Sequence, residues 1–383
     1  MLKQAILATI WFAILGIPAH AFAVKDQTLL QIREEIKQIR ESYEARIQAL
    51  EQRLQKAEEK TTPTEQQALA PLAAVTATTT TNAFNPAVSL ILGGTYANLS
   101  QDPSKYRIQG FLPSGDEVGP GNRSFNLGES ELSFSANIDP YFSGKLTFSL
   151  AGDNHVHIEE ALFETQALPS IKLKGGRFLS SIGYINSQHA HAWDFVDAPL
   201  AYQAFFGGQY KQDGLQLRWL APTERFIEFG LEAGRGGEFP GNDRNKNGTG
   251  SAAIFAHIGD DIGASASWRA GISYLQTSAA NRSYDDLDST GHSVNNAFDG
   301  KAKVWIVDGI YKWAPNGNST QTNFKLQGEY FRRQENGRLT YDTLAQSLGT
   351  TSLPYASAQS GWYVQGIYQF MPAWRIGLRF DKL

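Results

Sequence analysis

The chain contains no cysteine. For an exported protein this excludes a disulfide framework, and it also excludes thiol catalysis and cysteine-ligated zinc. No sign of charge dominates either. The 34 basic and 38 acidic residues leave a net charge of -4 on 383 residues, which gives no basis for a nucleic-acid partner. Long apolar runs are also scarce. The stretch from Ala5 to Ile17 is too short for the roughly 20 residues of a spanning helix. Lys3 precedes it, Pro18 breaks it, and small residues follow in Ala19-His20-Ala21 and Ala21-Phe22-Ala23. Residues 1–23 therefore read as a secretory signal peptide, and no later stretch is apolar enough for a membrane helix.

What is present looks contradictory at first. Charged residues make up 19%, aromatics 12%, and mean hydropathy is -0.33. Such a chain is not hydrophobic in bulk, yet it is rich in Phe, Tyr and Trp. Outer-membrane barrels have this profile, because only alternate residues face lipid while the others line water.

Residues 24–60 predict a helix, with neither Gly nor Pro from 26 to 60. Leu29, Ile32, Ile36, Ile39, Tyr43, Ile47, Leu50, Leu54 and Ala57 recur at intervals of three and four, with one stutter near Tyr43. This narrow seam flanked by charge predicts a periplasmic coiled coil about 50 Å long, and its isoleucines lean towards three strands. Residues 61–83, rich in Thr, Ala and Pro, form a linker without periodicity.

From residue 84 to 383 the period becomes two. The alternating apolar sets include Leu132, Phe134, Ala136 and Ile138, then Leu215, Leu217 and Trp219, then Phe324, Leu326, Gly328 and Tyr330, and finally Trp374, Ile376, Leu378 and Phe380. Their partners are polar, such as Lys325, Gln327 and Glu329. Aromatics cluster at the ends of the sets, as interfacial girdles require. Short connections at Asp139-Pro140, Leu168-Pro169, Ala221-Pro222, Gly259-Asp260-Asp261, Pro315 and Met371-Pro372 alternate with mostly long ones. The long ones are 100–123, 181–211, 236–250, 277–301 and 334–360. The expected fold is an all-β transmembrane antiparallel barrel preceded by the α-helical coiled coil. About 13 strands are countable, and an even, closed barrel of about 16 implies a copy truncated at its C-terminus.

The run Glu159-Glu160-Ala161-Leu162-Phe163-Glu164, the turn at Leu168-Pro169, and Lys172-Leu173-Lys174-Gly175-Gly176-Arg177-Phe178 together resemble the phosphate-selective porin O/P superfamily. A coiled coil before a barrel is similar to its coiled-coil trimeric porin-like branch. The resemblance implies a homotrimer of barrels of about 16 strands. It also brings in relatives labelled zinc-regulated or TonB-dependent outer-membrane proteins. A TonB-dependent or zinc-related uptake receptor is thus the alternative to a porin-like channel for passive diffusion of small hydrophilic solutes. Such a receptor needs a globular plug, and the residues between signal and first strand are taken up by coiled coil and linker.

Period two assigns Lys145, Glu159, Lys172, Lys174, Arg218, Arg269, Lys325 and Arg375 to the pore lining. Acidic and basic lumen candidates nearly balance, so the basic ladder of a phosphate pore is not evident. The third long loop, 182–210, is unusually apolar and predicts a constriction folded into the barrel, with His189, His191, Trp193, Asp194 and Asp197 as its candidate constriction residues. His155 and His157 with His189 and His191 form two His-x-His pairs, a candidate metal set for which imidazole and carboxylate would suit zinc. Otherwise no cofactor is expected. Ser187, His189 and Asp194 lie close in sequence, but a contiguous trio does not make a triad, and no enzymatic activity is expected. The expected partners are outer-membrane lipid, lipopolysaccharide and two further copies of the chain. Deleting residues 26–60 should weaken oligomers in cross-linking or ultracentrifugation without abolishing them. A wholly monomeric deletion would mean that barrel walls do not associate.

Overall fold

The computed structural model describes Lys37, which is helical, and residues 86–114, 118–150, 155–242 and 245–383. The expected signal peptide and linker, and the expected coiled coil apart from Lys37, lie outside the described residues. The strands all belong to the compact unit Thr79–Leu383. They begin with β1 (Ala87–Ile91), β2 (Gly94–Ala97), β3 (Ser124–Leu127), β4 (Ser130–Asn137) and β5 (Phe142–Leu150). There follow β6 (Val156–Thr165), β7 (Ile171–Leu179), β8 (Lys211–Leu220), β9 (Phe226–Gly234) and β10 (Ser251–Ile262). The longest come last: β11 (Ala266–Leu287), β12 (Ser293–Trp313), β13 (Asn323–Tyr341) and β14 (Thr351–Met371), then β15 (Trp374–Lys382).

Thirteen of these form one antiparallel meander, β1-β4-β5 and onward in chain order to β15, while β2 and β3 pair as a separate ribbon in the first long connection. Ala87 stands opposite Ser135, so β1 starts at the short-turn end of the sheet, as the expected topology requires.

The two faces are inverted relative to a water-soluble sheet. On β13, Leu326 and Tyr330 are exposed while Gln327, Glu329, Arg333 and Glu335 are buried. On β15, Ile376, Leu378 and Phe380 are exposed. The exposed apolar belt is bordered by aromatic rows. At one border Tyr274 packs 4.6 Å from Trp305, and Tyr330 is opposite Trp362. At the other, Trp268 is opposite Tyr311, Trp313 opposite Phe324, and Phe324 opposite Tyr368. Beyond Trp305 the outer face of β12 becomes charged, with Lys303, Lys301 and Asp299 exposed.

Two expected loops are therefore largely strand. Residues 277–301 continue β11 and β12 through Leu287 opposite Ser293, with a register shift between Ala279 and Arg282, and 334–360 continue β13 and β14 through Tyr341 opposite Thr351. Outside the apolar belt the outward residues are polar, so the hydrophobic alternation ends although the backbone pairing does not. The turn placed at Gly259-Asp260-Asp261 likewise lies within β10, and the chain reverses at 263–265.

The sheet is curled. His191 lies 2.7 Å from Glu131 on β4, and Asp194, three residues on, lies 3.2 Å from Arg375 on β15. Eleven steps of about 4.8 Å would put β4 and β15 roughly 50 Å apart in a flat sheet. Three residues reach only about 10 Å, so the sheet must wrap around the segment that carries both. That segment, 180–210, lies against the inner face. Its apolar core joins Ile182, Ile185, Tyr202, Phe205, Phe206 and Tyr210 to Phe255, Leu275, Val304, Ile306, Phe331 and Tyr363 of the wall.

One glycine is fixed by close approach. Gly176 has φ +117, and a Cβ there would lie 2.1 Å from the Ala161 carbonyl oxygen. Gly176→Ala should cost at least the roughly 1–3 kcal/mol of a strained backbone position, read as a lower urea midpoint in lipid vesicles. An unchanged midpoint would show that β6 and β7 can separate freely here.

Candidate functional site

The interior segment is closed at its base by Asn186, whose amide donates to the carbonyls of Ser180 and Tyr210 and accepts from Tyr210 N–H. Its α-helical stretch, α1 (Leu200–Phe206), ends at Gly207 in the left-handed region, where glycine carries no Cβ penalty. Tyr202, Phe205 and Phe206 of α1 all pack on Phe331. Loops are normally polar because they meet water. This one is apolar because it fills the inside of the sheet.

Buried carboxylates of the wall hold its backbone. Glu329 accepts from the N–H groups of Tyr184 (3.0 Å) and Ile185 (3.1 Å) and from the hydroxyls of Tyr202 (2.9 Å) and Tyr363 (2.7 Å). Glu232 accepts from Ser180 Oγ and Ser181 N–H, and from the amides of Gln212 and Gln216. Burial, followed by the charge of Glu329, raises the Tyr202 pKa well above its ordinary value, so its hydroxyl remains a donor. Arg333 donates to the Ala204 carbonyl, and its guanidinium lies 5.2 Å from the Phe205 ring.

Of the residues expected to line a pore, Lys145 and Glu159 meet the segment at His189, while Lys325 and Arg375 both pair with Asp194. Arg269 donates to the Gly183 carbonyl and faces Asp308 at 3.5 Å. Arg218 bridges Glu164 and Glu228 along the wall. Lys172 donates to the Thr165 carbonyl, and Lys174 lies 5.7 Å from the Phe178 ring. Within the segment, both carboxylate oxygens of Asp197 accept from Arg379 Nη2 at 3.0 Å, and Trp193 donates to the Gln188 carbonyl. His189 and Asp194 thus face different walls, and the contiguous Ser187, His189, Asp194 trio is not assembled around one point.

The densest cluster surrounds the two segment histidines. His189 Nδ1 lies 3.0 Å from Glu159 and 3.3 Å from Glu131, and its Nε2 lies 2.9 Å from Glu160. Lys145 also pairs with Glu160. Neighbouring residues of a regular strand point to opposite faces, yet Glu159 and Glu160 both reach His189. The cause is a β-bulge: Thr147 is opposite Glu160 and Phe148 opposite Ile158, leaving Glu159 as the extra residue, and such bulges re-aim side chains. Burial alone would lower the His189 pKa, but its hydrogen bonds to Glu131, Glu159 and Glu160 raise it to about 11. His155 and His157 are exposed at the start of β6, with ring centroids 6.4 Å apart, and neither joins this cluster. Period two places Glu329 on the polar face but gives no sign of its contacts to the segment, and it misses Glu160. The pair Glu159-Glu160 was the available signal for the bulge.

No family model matches the chain. An uncharacterized protein of Aquifex aeolicus (strain VF5) is 29% identical over 328 residues, covering 79% of this chain and 65% of that protein. The chain thus spans about 65% of the length of the curated relative it matches. Among solved structures it is similar to a loop L8 deletion mutant of OmpT, an outer membrane protein of Vibrio cholerae. There the TM-score is 0.39 at 10% identity, with 77% of this chain and 93% of that one covered. It is also similar to the outer membrane channel DcaP of Acinetobacter baumannii, with TM-score 0.30, 12% identity and 77% and 90% coverage. OprB of Pseudomonas putida gives TM-score 0.31, 13% identity and 66% and 82% coverage. At TM-scores this low the membrane reading rests on this chain's own residues.

Replacing Glu329 by Ala would strand four donors, each costing roughly 1–3 kcal/mol if left buried and unpaired. Glu329→Ala should expose 182–210 to limited proteolysis while sheet content by circular dichroism persists. Wild-type protection in this variant would contradict the anchoring role.

Proposed function

We propose that the chain is a porin-like outer-membrane channel for small hydrophilic solutes, with segment 180–210 as its constriction. The carrying observation is the inverted sheet, whose exposed face is apolar between two aromatic rows and whose buried face is polar. From Trp305 to Trp313, eight residues cover roughly 27 Å of strand, on the scale of the apolar band of a barrel with tilted strands. Closure into a barrel, trimerisation through the wall and the coiled coil, and periplasmic placement of the N-terminus complete this reading. Outer-membrane lipid and lipopolysaccharide are then the surroundings of the exposed belt.

Cavities at the two ends of the sheet support a constriction between vestibules. One of about 550 Å³ opens near the short turns and is lined by Asp194, Ser267, Lys312, Lys325, Gln369 and Arg375 among others. Another of about 590 Å³ lies near the long connections, lined by Tyr106, Phe111, Ala204, Arg282, Tyr284 and Asn295 among others. Inner charges mostly pair across the wall or with the segment, as in Arg218 with Glu164 and Glu228. No unbroken basic ladder is left to favour phosphate, and the solute class is therefore kept general.

Planar-bilayer recordings should show discrete openings, and a silent, well-folded protein would defeat the channel reading. Asp194 pairs with both Lys325 and Arg375 at the short-turn vestibule and offsets one of their two charges. Asp194→Asn should shift the reversal potential in a salt gradient towards anions. An unchanged reversal potential would place the permeation path elsewhere.

A further inference from the structure

The cluster around the segment histidines has the form of a metal site. Ligand atoms of Glu131, Glu159 and His189 all lie within 4.8 Å of one another, and so do those of Glu129, Glu131 and His191. Glu131 belongs to both sets and is 3% exposed. The imidazoles stack with centroids 5.6 Å apart and planes 19° apart. Three donors around one zinc-like ion, each at about 2.1 Å, stand about 3.4–3.6 Å apart, so either set closes around an ion by a contraction of at most about 1.4 Å.

Charge points the same way. Glu129, Glu131, Glu159 and Glu160 converge here, and the ammonium of Lys145 is directed to Glu160. Among the described residues the ion pairs of Glu131 and Glu159 run to imidazoles. Glu129 Oε2 is buried without a hydrogen-bond partner. Buried carboxylates are costly unless cations accompany them, and a metal ion would take the place of the proton that His189 holds among them. The outer contacts are also those of a metal site. His189 directs Nδ1 into the ligand set and Nε2 to Glu160, and a ligating histidine commonly has a carboxylate on its other ring nitrogen.

We propose that Glu129, Glu131, Glu159, His189 and His191 bind a divalent transition-metal ion that clamps the interior segment to the wall, with Glu131 common to two half-sites. Mixed imidazole and carboxylate donors select the class: zinc, cobalt or nickel, rather than the all-oxygen chemistry of magnesium and calcium. Glu160 is a positioning residue that orients His189. The site depends on where the segment lies and not on conduction, so metal binding and channel activity fail separately.

The test is titration of the purified full chain with Zn²⁺ by calorimetry, and with Co²⁺ by visible absorption, which reports nitrogen and oxygen ligands directly. Wild type is expected to bind both. H189A/H191A should lose binding, whereas H155A/H157A, which alters the exposed pair outside the cluster, should retain it. E160Q should weaken affinity by roughly 10–100-fold, the usual effect of losing a carboxylate that orients a ligating histidine, with the fold checked by circular dichroism. The proposal is overturned if wild type takes up neither ion. It is also overturned if folded H189A/H191A binds as wild type does, or if binding is lost with His155 and His157 instead. Should H189A/H191A fail to fold, the wild-type Co²⁺ spectrum and E160Q decide the matter: no imidazole-type spectrum, or E160Q at wild-type affinity, overturns it.

Discussion

The structure depends on the need of a polar inner wall for partners. Glu329 shows this most directly, accepting from two backbone N–H groups and two tyrosine hydroxyls. A buried carboxylate is tolerated only when hydrogen-bonded or paired, and here the partners come largely from the interior segment. The segment in turn could not stay apolar and ordered without a wall to cover it. Wall and segment therefore stabilise each other, which explains why the curvature of the sheet and the placement of 180–210 belong to a single arrangement.

Different stretches of the segment face different parts of the wall. Its histidines meet the β4–β6 side, its aspartates meet Lys325, Arg375 and Arg379, and its aromatics pack on β10 to β14. Contacts on several sides give the segment a fixed position and leave room at either end. A constriction requires both properties. In the proposed channel, Asp194 also offsets part of the positive charge that Lys325 and Arg375 bring to the short-turn end.

Strand order, strand number and the polarity of the two faces were readable in the sequence, because the backbone alternates with period two and the exposed belt is apolar. Most short turns were readable through proline at Asp139-Pro140, Leu168-Pro169 and Ala221-Pro222. The upper halves of β11 to β14 were not. Outside the belt Lys301, Lys303, Arg332 and Gln334 face outwards, and a polar outer face has no hydrophobic rhythm to detect. The histidine cluster was half legible. His189 and His191 stood out by composition, but Glu160 could not, because strict alternation places it opposite Glu159 and only the bulge reverses that. The contacts to Glu131 and Glu329 are long-range, and no local pattern encodes them.

Cysteine accessibility tests the inverted sheet most directly, since the chain has no native cysteine to confuse it. Single cysteines at Leu326 and Lys325, adjacent on β13, would be probed in lipid vesicles with a small water-soluble thiol reagent and a lipid-soluble quencher. With the sheet inverted, the position 325 thiol reacts from water and a label at 326 is quenched from lipid. Aqueous reaction at 326 equal to that at 325, without quenching, would contradict it.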